Sequence, residues 1–167
     1  MSVIFETERL RVRLYSQLDE ENFFALNGNE EVMRYIRPAK NRGECNDFFK
    51  TVIAESNLIK GRWAVEEKSS GTFIGSFALI PIDFENTHHL QLGYSLLKPF
   101  WGKGYASELT KQGIDYYFAN YKEEVLFAYT DVRNVASQKV LLKSGFKQAG
   151  NAKDGDKALT KFIYHRP

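Results

Sequence analysis

The sequence predicts an α/β protein in which helices pack on the faces of a mixed β-sheet. Several short segments are rich in apolar and β-branched residues or alternate them with charged ones, as strands do. A strand–helix–strand unit at residues 90–130 then adds helices to the sheet. At 167 residues, with 43% hydrophobic and 14% aromatic content, the chain is expected to form one domain spanning residues 1–167.

The first third of the chain combines one strand with two helical segments. Residues 10–14 alternate apolar and charged side chains, which predicts a half-buried first strand. Asp19 is a candidate N-cap for a short helix ending at residues 27–29, and residues 32–37 extend it after a break. Apolar residues then recur at helical spacing over residues 44–61, so we expect a second helical arm.

The middle of the chain has the pattern of strands. Residues 62–66 and 72–82 are rich in apolar and β-forming side chains, and the turn residues 68–71 between them predict a hairpin. Residues 90–96 form a third predicted strand of this region, which ends just before Pro99. A loop rich in glycine follows directly.

The last third of the chain alternates helices with strands. We predict a helix at residues 104–120, a strand at residues 125–130 and a second helix at residues 134–143. A terminal hairpin follows, in which residues 147–150 pair with residues 157–164. Gly113 would let the first helix approach the sheet closely. Gly145 can end the second helix in a left-handed conformation, and Asp154-Gly155 is a turn signal for the hairpin.

The charge balance and the cysteine count exclude several classes of protein. Lys and Arg outnumber Asp and Glu by only 23 to 21, so a net charge of +2 provides no broad basic surface for nucleic acid. The acidic start lacks the apolar stretch of a signal peptide, and no apolar run approaches membrane-spanning length. We therefore expect a cytoplasmic protein that binds neither nucleic acid nor membrane. Cys45 is the only cysteine, so we expect no internal disulfide and no metal.

A glycine loop at residues 99–109 is the most informative local feature. It joins a strand pattern to a helix pattern through Gly102 and Gly104, so the backbone can come close to a ligand while the helix start favours an anion. Lys103 between the glycines rules out a nucleotide-hydrolase loop, and Ser107 stands where a dinucleotide fingerprint needs Gly or Ala. The open alternatives are a cradle for another phosphate-bearing ligand and a plain structural turn.

The loop and three other regions together resemble the GNAT N-acetyltransferases. Residues 101–106, preceded by residues 92–96, are similar to the acetyl-coenzyme A loop of that family, in which Gln or Arg is usual where Trp101 stands. A Trp at this position resembles the RimJ/RimL-like branch, the ribosomal-protein alanine and serine N-acetyltransferases. The other segments that agree with this branch are Glu6-Thr7-Glu8-Arg9-Leu10-Arg11, Gly71-Thr72-Phe73-Ile74-Gly75, and Asn134-Val135-Ala136-Ser137 through Lys143-Ser144-Gly145-Phe146.

The resemblance implies the GNAT fold, a central mixed sheet with splayed parallel strands and flanking helices, and acetyl-CoA as the acetyl donor. The pyrophosphate of the donor would lie in the glycine loop, and its pantetheine arm would pair with the strand edge at residues 94–96, helped by a bulge at Gly93. The residues that the resemblance predicts to bind the donor are Tyr94, Ser95, Leu96, Trp101, Gly102, Lys103, Gly104, Tyr105, Ala106, Ser107, Asn134 and Ser137.

Acetyl transfer to an amine needs a polarised thioester carbonyl, a neutral amine and a proton for the departing thiolate. Backbone N–H groups at residues 95–97 are candidates for polarising the carbonyl. Leu141 occupies the position of the family's usual tyrosine acid, so a tyrosine acid is excluded there. The resemblance makes Ser137 the candidate acid instead, with a purely structural role at the helix start as the alternative.

The sequence leaves the general base open. Gln91 stands where many relatives have Glu, and an amide cannot take a proton from an ammonium group. Asp156 lies near the sequence position of a carboxylate that part of the branch uses as a base. The run Asp154-Gly155-Asp156 is also typical of a simple turn, which is the alternative. His88 and His89 are further candidates, because histidine is the residue type best suited to proton transfer near neutral pH, and proton loss through water would need no dedicated base.

The sequence also leaves the acceptor open between a small-molecule amine and a peptide or protein N-terminus. We expect the helical arms at residues 19–59 and the last hairpin to shape its pocket. Aromatic candidates for the lining are Phe23, Phe24, Tyr35, Phe48 and Phe84. The missing tyrosine and Gln91 also permit a non-catalytic acyl-CoA sensor on the same fold, and the family resemblance alone suggests a homodimer.

Overall fold

The computed structural model describes residues 2–167, in which a single β-sheet lies between two groups of helices. The strands are β1 Val3–Glu6, β2 Leu10–Arg13, β3 Gly61–Glu67, β4 Phe73–Pro81, β5 Leu90–Leu96, β6 Val125–Asp131, β7 Lys147–Asp154 and β8 Lys157–His165. The helices are α1 Glu20–Asn27, α2 Glu30–Met33, α3 Arg42–Glu55, α4 Tyr105–Asn120 and α5 Val135–Lys143. The predicted α/β fold class is therefore confirmed.

The sheet of the described residues is mixed, with strand order β1-β2-β3-β4-β5-β6-β8-β7. Every neighbouring pair in it is antiparallel except β5 and β6, which are parallel. The helix α4 connects these two parallel strands, as the strand–helix–strand unit predicted. None of the described helices combines the length and the hydropathy that crossing a bilayer requires.

The predicted first strand is in fact the second strand of the chain. Residues 3–6 form β1, which pairs with β2 through Phe5 and Val12, and both of these side chains are buried. This strand was not predicted, because only the acids of the segment stood out, although Val-Ile-Phe is a short apolar run. Its acid Glu6 accepts a hydrogen bond from the Arg11 Nε at 2.8 Å, across the hairpin.

The helical arm begins and ends differently from the sequence prediction. Asp19 stands at the N-cap position of α1, as predicted, but its side chain makes no capping bond, because its carboxylate accepts bonds from the Arg13 guanidinium at 2.8 and 2.9 Å. The helix α3 begins at Arg42 with a reciprocal capping box between Asn41 and Glu44. It ends at Glu55, earlier than predicted, because the chain turns there: the Asn57 carboxamide oxygen accepts from the N–H groups of Ile59 and Lys60.

Two apolar clusters hold the helices to opposite sides of the sheet. On one side α4 packs against β4 and β5, and a Cβ on Gly113 would collide with the ring of Phe77, so the predicted close approach is confirmed. On the other side α1, α2 and α3 pack around Phe23, Phe49 and Ala64 of β3. The sheet therefore carries a layer of helices on each face, and the central strands contribute side chains to both apolar clusters.

Candidate active site

The candidate active site lies where β5 and β6 separate. The two strands pair only through Gln91 with Phe127 and Leu92 with Ala128, and they part beyond those residues. The pairing of β5 with β4 continues past Gly93 without any shift of register, so the bulge predicted at Gly93 is absent. The splayed strands themselves are present, as predicted. The gap between them opens beside the glycine loop.

Backbone hydrogen-bonding groups of β5 point into this gap. Leu97 N–H donates to Ile74 C=O at 2.8 Å. Because hydrogen-bonded and non-hydrogen-bonded residues alternate along an antiparallel pair, this bond decides which residues of β5 are bonded to β4. Ser95 therefore directs its backbone groups to β4, whereas Tyr94 and Leu96 direct theirs toward the gap. Of the N–H groups at residues 95–97 that were predicted to polarise the carbonyl, only that of Leu96 is free to donate into the gap. The N–H group of Tyr94 is a second one that faces the gap. The prediction is wrong for Leu97 because its N–H is already bonded.

The glycine loop has the backbone conformation that the sequence predicts for a cradle. Gly102 has φ +73° and Gly104 has φ +79°, in the left-handed region that favours glycine. A Cβ at Gly102 would meet no protein atom within 4 Å, so the space beside the loop is open. The helix α4 begins at Tyr105, and its first N–H groups have no intrahelical acceptor. This end of the helix is suited to a phosphate group.

Residues from the start of the chain hold the glycine loop in place. Arg9 donates from Nε to the Glu108 carboxylate at 2.8 Å and from Nη2 to the Lys103 carbonyl at 2.9 Å. Thr7 Oγ1 donates to the same carboxylate at 2.7 Å, and the Arg9 guanidinium lies 4.4 Å from the ring centre of Tyr105. These contacts bridge about a hundred positions of sequence, so the motif at residues 6–11 has a supporting role that its pattern did not reveal.

Trp101 connects the loop to the splayed strand. Its indole N–H donates to the Leu96 carbonyl at 2.7 Å, which occupies one backbone acceptor that faces the gap. Trp101 as a whole residue is nevertheless 45% exposed. This bond gives Trp101 a positioning role for β5, in addition to the cofactor contact that the resemblance predicts.

Asn134, Ser137 and Tyr94 meet at the start of α5. The Asn134 side-chain oxygen accepts from Ser137 N–H at 3.2 Å and so caps the helix. The Ser137 hydroxyl lies 3.1 Å from the Tyr94 hydroxyl, which joins α5 to β5. Burial raises the pKa of Tyr94, and its hydrogen bond with Ser137 lowers it in part. The phenol therefore stays protonated at neutral pH.

A cavity of about 740 Å³ is lined by residues from both sides of the sheet. The predicted donor-binding residues that line it are Tyr94, Ser95, Leu96, Trp101, Gly102, Gly104, Tyr105, Ala106, Ser107, Asn134 and Ser137. Lys103 is exposed and contributes its carbonyl to the Arg9 contact instead of lining the cavity. The loop, the gap and α5 are therefore parts of one connected space.

The candidate bases lie at different distances from this cavity. Asp156 is exposed on the hairpin turn outside the lining residues, whereas its neighbour Asp154 belongs to the lining. His88 and His89 lie next to Glu123, with His89 Nδ1 at 3.4 Å from the carboxylate, and neither lines the cavity. The carboxamide nitrogen of Gln91, which does line it, donates to the Pro81 carbonyl at 3.4 Å. The assignment of Asp156 stays a prediction.

The opposite end of the cavity lies under the helical arm. Four of the five aromatic candidates line it, namely Phe23, Tyr35, Phe48 and Phe84, whereas Phe24 does not. Two arginines, Arg37 and Arg62, also line this end and were not predicted from the sequence. Their only sequence signal was a cationic side chain at the end of a helical segment and at the start of a strand, and that pattern is common on protein surfaces.

Comparison with known proteins identifies the family. Residues 9–147 match the domain described as acetyltransferase (GNAT). The chain belongs to the GNAT acetyltransferase family. This GNAT enzyme is an acyltransferase whose donor is acetyl-CoA. It is 28% identical over 153 residues to the uncharacterized N-acetyltransferase YoaA of Bacillus subtilis, which covers 90% of this chain and 86% of the relative.

Solved GNAT structures share the fold. An acetyltransferase of the GNAT family from Bacillus anthracis superposes with a TM-score of 0.83 at 20% identity, covering 99% of this chain and 98% of that one. Spermidine N-acetyltransferase from Vibrio cholerae, solved with CoA and spermine, superposes with a TM-score of 0.75 at 19% identity, covering 93% and 95%. The open glycine cradle and the unpaired edge of β5 fit the phosphates and the amide groups of CoA.

Proposed function

We propose that this GNAT enzyme transfers an acetyl group directly from acetyl-CoA to a primary amine while both substrates are bound. The amine belongs to a small molecule or to the N-terminus of a peptide or protein. The observation that carries the proposal is the single cavity, because its lining includes both the glycine loop and the pocket under the helical arm. A donor and an acceptor can therefore occupy one space and meet at the gap between β5 and β6.

The chain's own groups at the gap suit acyl transfer. Bound acetyl-CoA supplies an acetyl thioester. The N–H groups of Tyr94 and Leu96 face the gap and can donate hydrogen bonds to an oxyanion that develops there. The Ser137 hydroxyl, held by Tyr94 at 3.1 Å, is the proposed proton donor at the same place. Asp156 stays the candidate general base, and proton loss to water in the open cavity is the alternative that needs no dedicated base.

The RimJ/RimL-like branch is the proposed place of this chain within the family. Support comes from Trp101 in the glycine loop and from Leu141 in place of the usual tyrosine. Leu141 is 2% exposed, packs in the same core cluster as α4 and lines the cavity, so an apolar side chain stands where the family's tyrosine acid would be. The Tyr94–Ser137 pair provides hydroxyl groups from neighbouring elements instead.

A coupled measurement of free thiol release tests the proposal. Purified protein with acetyl-CoA is offered N-terminal peptides, amino acids, polyamines and amino sugars, and the products are examined by mass spectrometry. We expect at least one primary amine to be acetylated with release of one thiol per acetyl group. Binding of acetyl-CoA without turnover of any amine would favour the non-catalytic sensor. The sensor is dismissed by turnover at ordinary enzymatic rates.

A further inference from the structure

We propose that Arg37 and Arg62 form a subsite for an oxyanionic group on the acceptor, so that the substrate is a small amine that also carries a carboxylate or a phosphate. This inference rests on the proposed function of the cavity, because it names the class of amine that the acceptor end would bind. Both residues line that end of the cavity. The other cationic residues of the lining are Arg34, which is exposed, and Lys157, whose Nζ donates to the Ile36 carbonyl.

The two guanidinium groups lack counter-ions. No carboxylate of residues 2–167 lies within 4.0 Å of either one, whereas Arg9, Arg13 and Arg42 each pair with an acid. A buried cation without a partner is unfavourable unless something else compensates its charge. Arg34, which also lines the cavity, has no carboxylate partner either, but its side chain is exposed. The fold therefore keeps two partly buried, unpaired guanidinium groups together at this end of the cavity.

The hydrogen bonds of Arg37 show that most of its donors are free. One terminal nitrogen donates to the Asn27 side-chain oxygen at 3.2 Å, and Asn27 is itself oriented by its bond to the Phe23 carbonyl at 3.0 Å. The Arg37 Nε is buried and has no partner among the described residues. Burial, and then the charge of Arg62, lower the pKa of Arg37 to about 10, so it is still charged at neutral pH.

Arg62 is equally uncompensated. Its backbone N–H donates to Ser56 Oγ, but its guanidinium makes no hydrogen bond to residues 2–167. Burial lowers its pKa, and the exposed Asp83 opposes the shift only as a weaker contribution. The guanidinium carbons of Arg37 and Arg62 lie 5.1 and 5.3 Å from the ring centre of Phe48. One aromatic ring thus holds both cations at the same end of the cavity.

The sheet register connects this pair to the reaction gap. Arg62 on β3 pairs with Ala78 on β4, and Ala78 pairs with Gly93 on β5, where the strands part. Residues paired in this way lie on the same face of the sheet, and neighbouring strands are about 4.8 Å apart. Ala78 and Gly93 are small, so they leave the path open. An acceptor of about 10 Å or less can therefore reach from the gap to the arginines.

The acids of the cavity do not offset these cations. Glu31 pairs with Lys98 at 2.7 Å, and Asp131 pairs with Arg133 at 2.8 Å. Asp83 and Asp154 are exposed at the edge of the cavity. A guanidinium group binds the oxygens of a carboxylate or a phosphate in a fixed fork. A polyamine, which carries only positive charge, is unsuited to this end.

Matched acceptor pairs test the subsite. Thiol release is measured with phenylalanine and phenylalaninamide, β-alanine and β-alaninamide, 2-aminoethylphosphonate, and spermidine, at saturating acetyl-CoA. We expect the wild type to prefer the acid of each pair by about tenfold or more in kcat/KM, with spermidine the poorest. The carboxylate and phosphonate arms separate the two oxyanions. An equal preference for acid and amide, or a preference for spermidine, overturns the subsite.

The variants Arg37→Gln and Arg62→Gln assign the preference to the two arginines. We expect each to raise KM for the preferred acid by about 10- to 100-fold, with kcat and the amide KM nearly unchanged. The control is Arg42→Gln, which removes an exposed arginine paired with Glu21 on the same helical arm. The Arg62 guanidinium makes no hydrogen bond to residues 2–167, so Arg62→Gln should not lower Tm. Arg37→Gln removes the donor to the buried Asn27 oxygen and should lower Tm slightly, so the acid-to-amide ratio of KM is the decisive readout for that variant. A lower Tm with equal losses for acid and amide would mark a structural role and overturn the subsite.

Direct binding separates failure of the subsite from failure of the proposed function. The acids and amides are titrated calorimetrically into the CoA-bound wild type and into both variants. Binding of an acid that depends on Arg37 and Arg62, without turnover, would support the subsite and reject the proposed transfer. Turnover of amines with no acid-dependent binding would support the transfer and reject the subsite.

Discussion

The proposed acid, Ser137, is paired with the hydroxyl group of Tyr94. The family's usual acid is a tyrosine on the helix, and this chain has Leu141 there, buried in the core. A phenol nevertheless reaches the same region from β5 and lies 3.1 Å from the Ser137 hydroxyl. Ser137 alone was predicted as the acid, because only folding brings a residue 43 positions earlier next to it.

Replacing Ser137 by Ala is expected to lower kcat by about 10²-fold, since a positioned general acid typically contributes that much. KM for acetyl-CoA should change little, because the bond that caps α5 uses the Ser137 backbone N–H, which alanine keeps. The matched control is Ser144→Ala at the other end of α5, where the hydroxyl donates to the Val140 carbonyl. Equal activity of Ser137→Ala and the wild type would contradict the assignment.

The pKa of Tyr94 predicts the alkaline side of the rate profile. Burial raises this pKa above the ordinary 10.0, so the phenol loses its proton at higher pH than a free tyrosine. Any fall of kcat between pH 7 and 9 should therefore come from another group and should persist in Tyr94→Phe. Measuring kcat against pH for both proteins checks this. A limb below pH 9 that disappears in Tyr94→Phe would contradict it.

At the level of elements, a comparison of two glycines distinguishes the effect of backbone strain in the glycine loop from the effect of lost ligand contact. Gly102 and Gly71 have φ of +73° and +70°, and a Cβ would meet no atom within 4 Å at either one. Alanine at each position should therefore cost a similar stability of about 1 kcal/mol. Only Gly102→Ala should also raise KM for acetyl-CoA, by tenfold or more, because only that Cβ would enter the cradle. Denaturant unfolding and initial rates measure the two effects.

A result in which Gly71→Ala raised KM for acetyl-CoA as much as Gly102→Ala would contradict the cradle. The hairpin turn of Gly71 lies outside the cavity lining, so any effect on KM there would have to come from stability alone. The comparison removes that ambiguity, because the two variants carry the same strain.

Local patterns predicted the elements better than they predicted their ends and their partners. The glycine loop, the β3–β4 hairpin and the cap at Gly145 follow from turn chemistry within a few residues, and all three are present. The end of α3 and the capping bond expected from the Asp19 side chain depended on side-chain hydrogen bonds that a linear pattern leaves undecided. Arg13 takes the Asp19 carboxylate across a turn, and nothing in the helix pattern indicated that competition.

At the scale of the molecule, the site depends on contacts between distant parts of the chain. Arg9 reaches Glu108, and Arg37 meets Arg62 at the ring of Phe48. Family resemblance supplied the donor loop because its residues are contiguous. The acceptor end is assembled from α1, α2, α3 and the central strands, so no segment of sequence carries its pattern. The long-range register of the sheet had to be known before Arg62 could be related to Gly93.

The whole cavity predicts direct transfer without an acetylated enzyme. Cys45 is 1% exposed in the cluster under the helical arm and does not line the cavity, and burial raises the pKa of its thiol. Ser137 has a phenol as its partner where a nucleophilic serine would need a base. We therefore expect double-reciprocal plots of the initial rate to give intersecting lines when both substrates are varied. The protein should not gain mass when it is incubated with acetyl-CoA alone, and Cys45→Ala should keep full activity. Parallel lines together with an acetylated protein would instead require a nucleophile that reaches the gap.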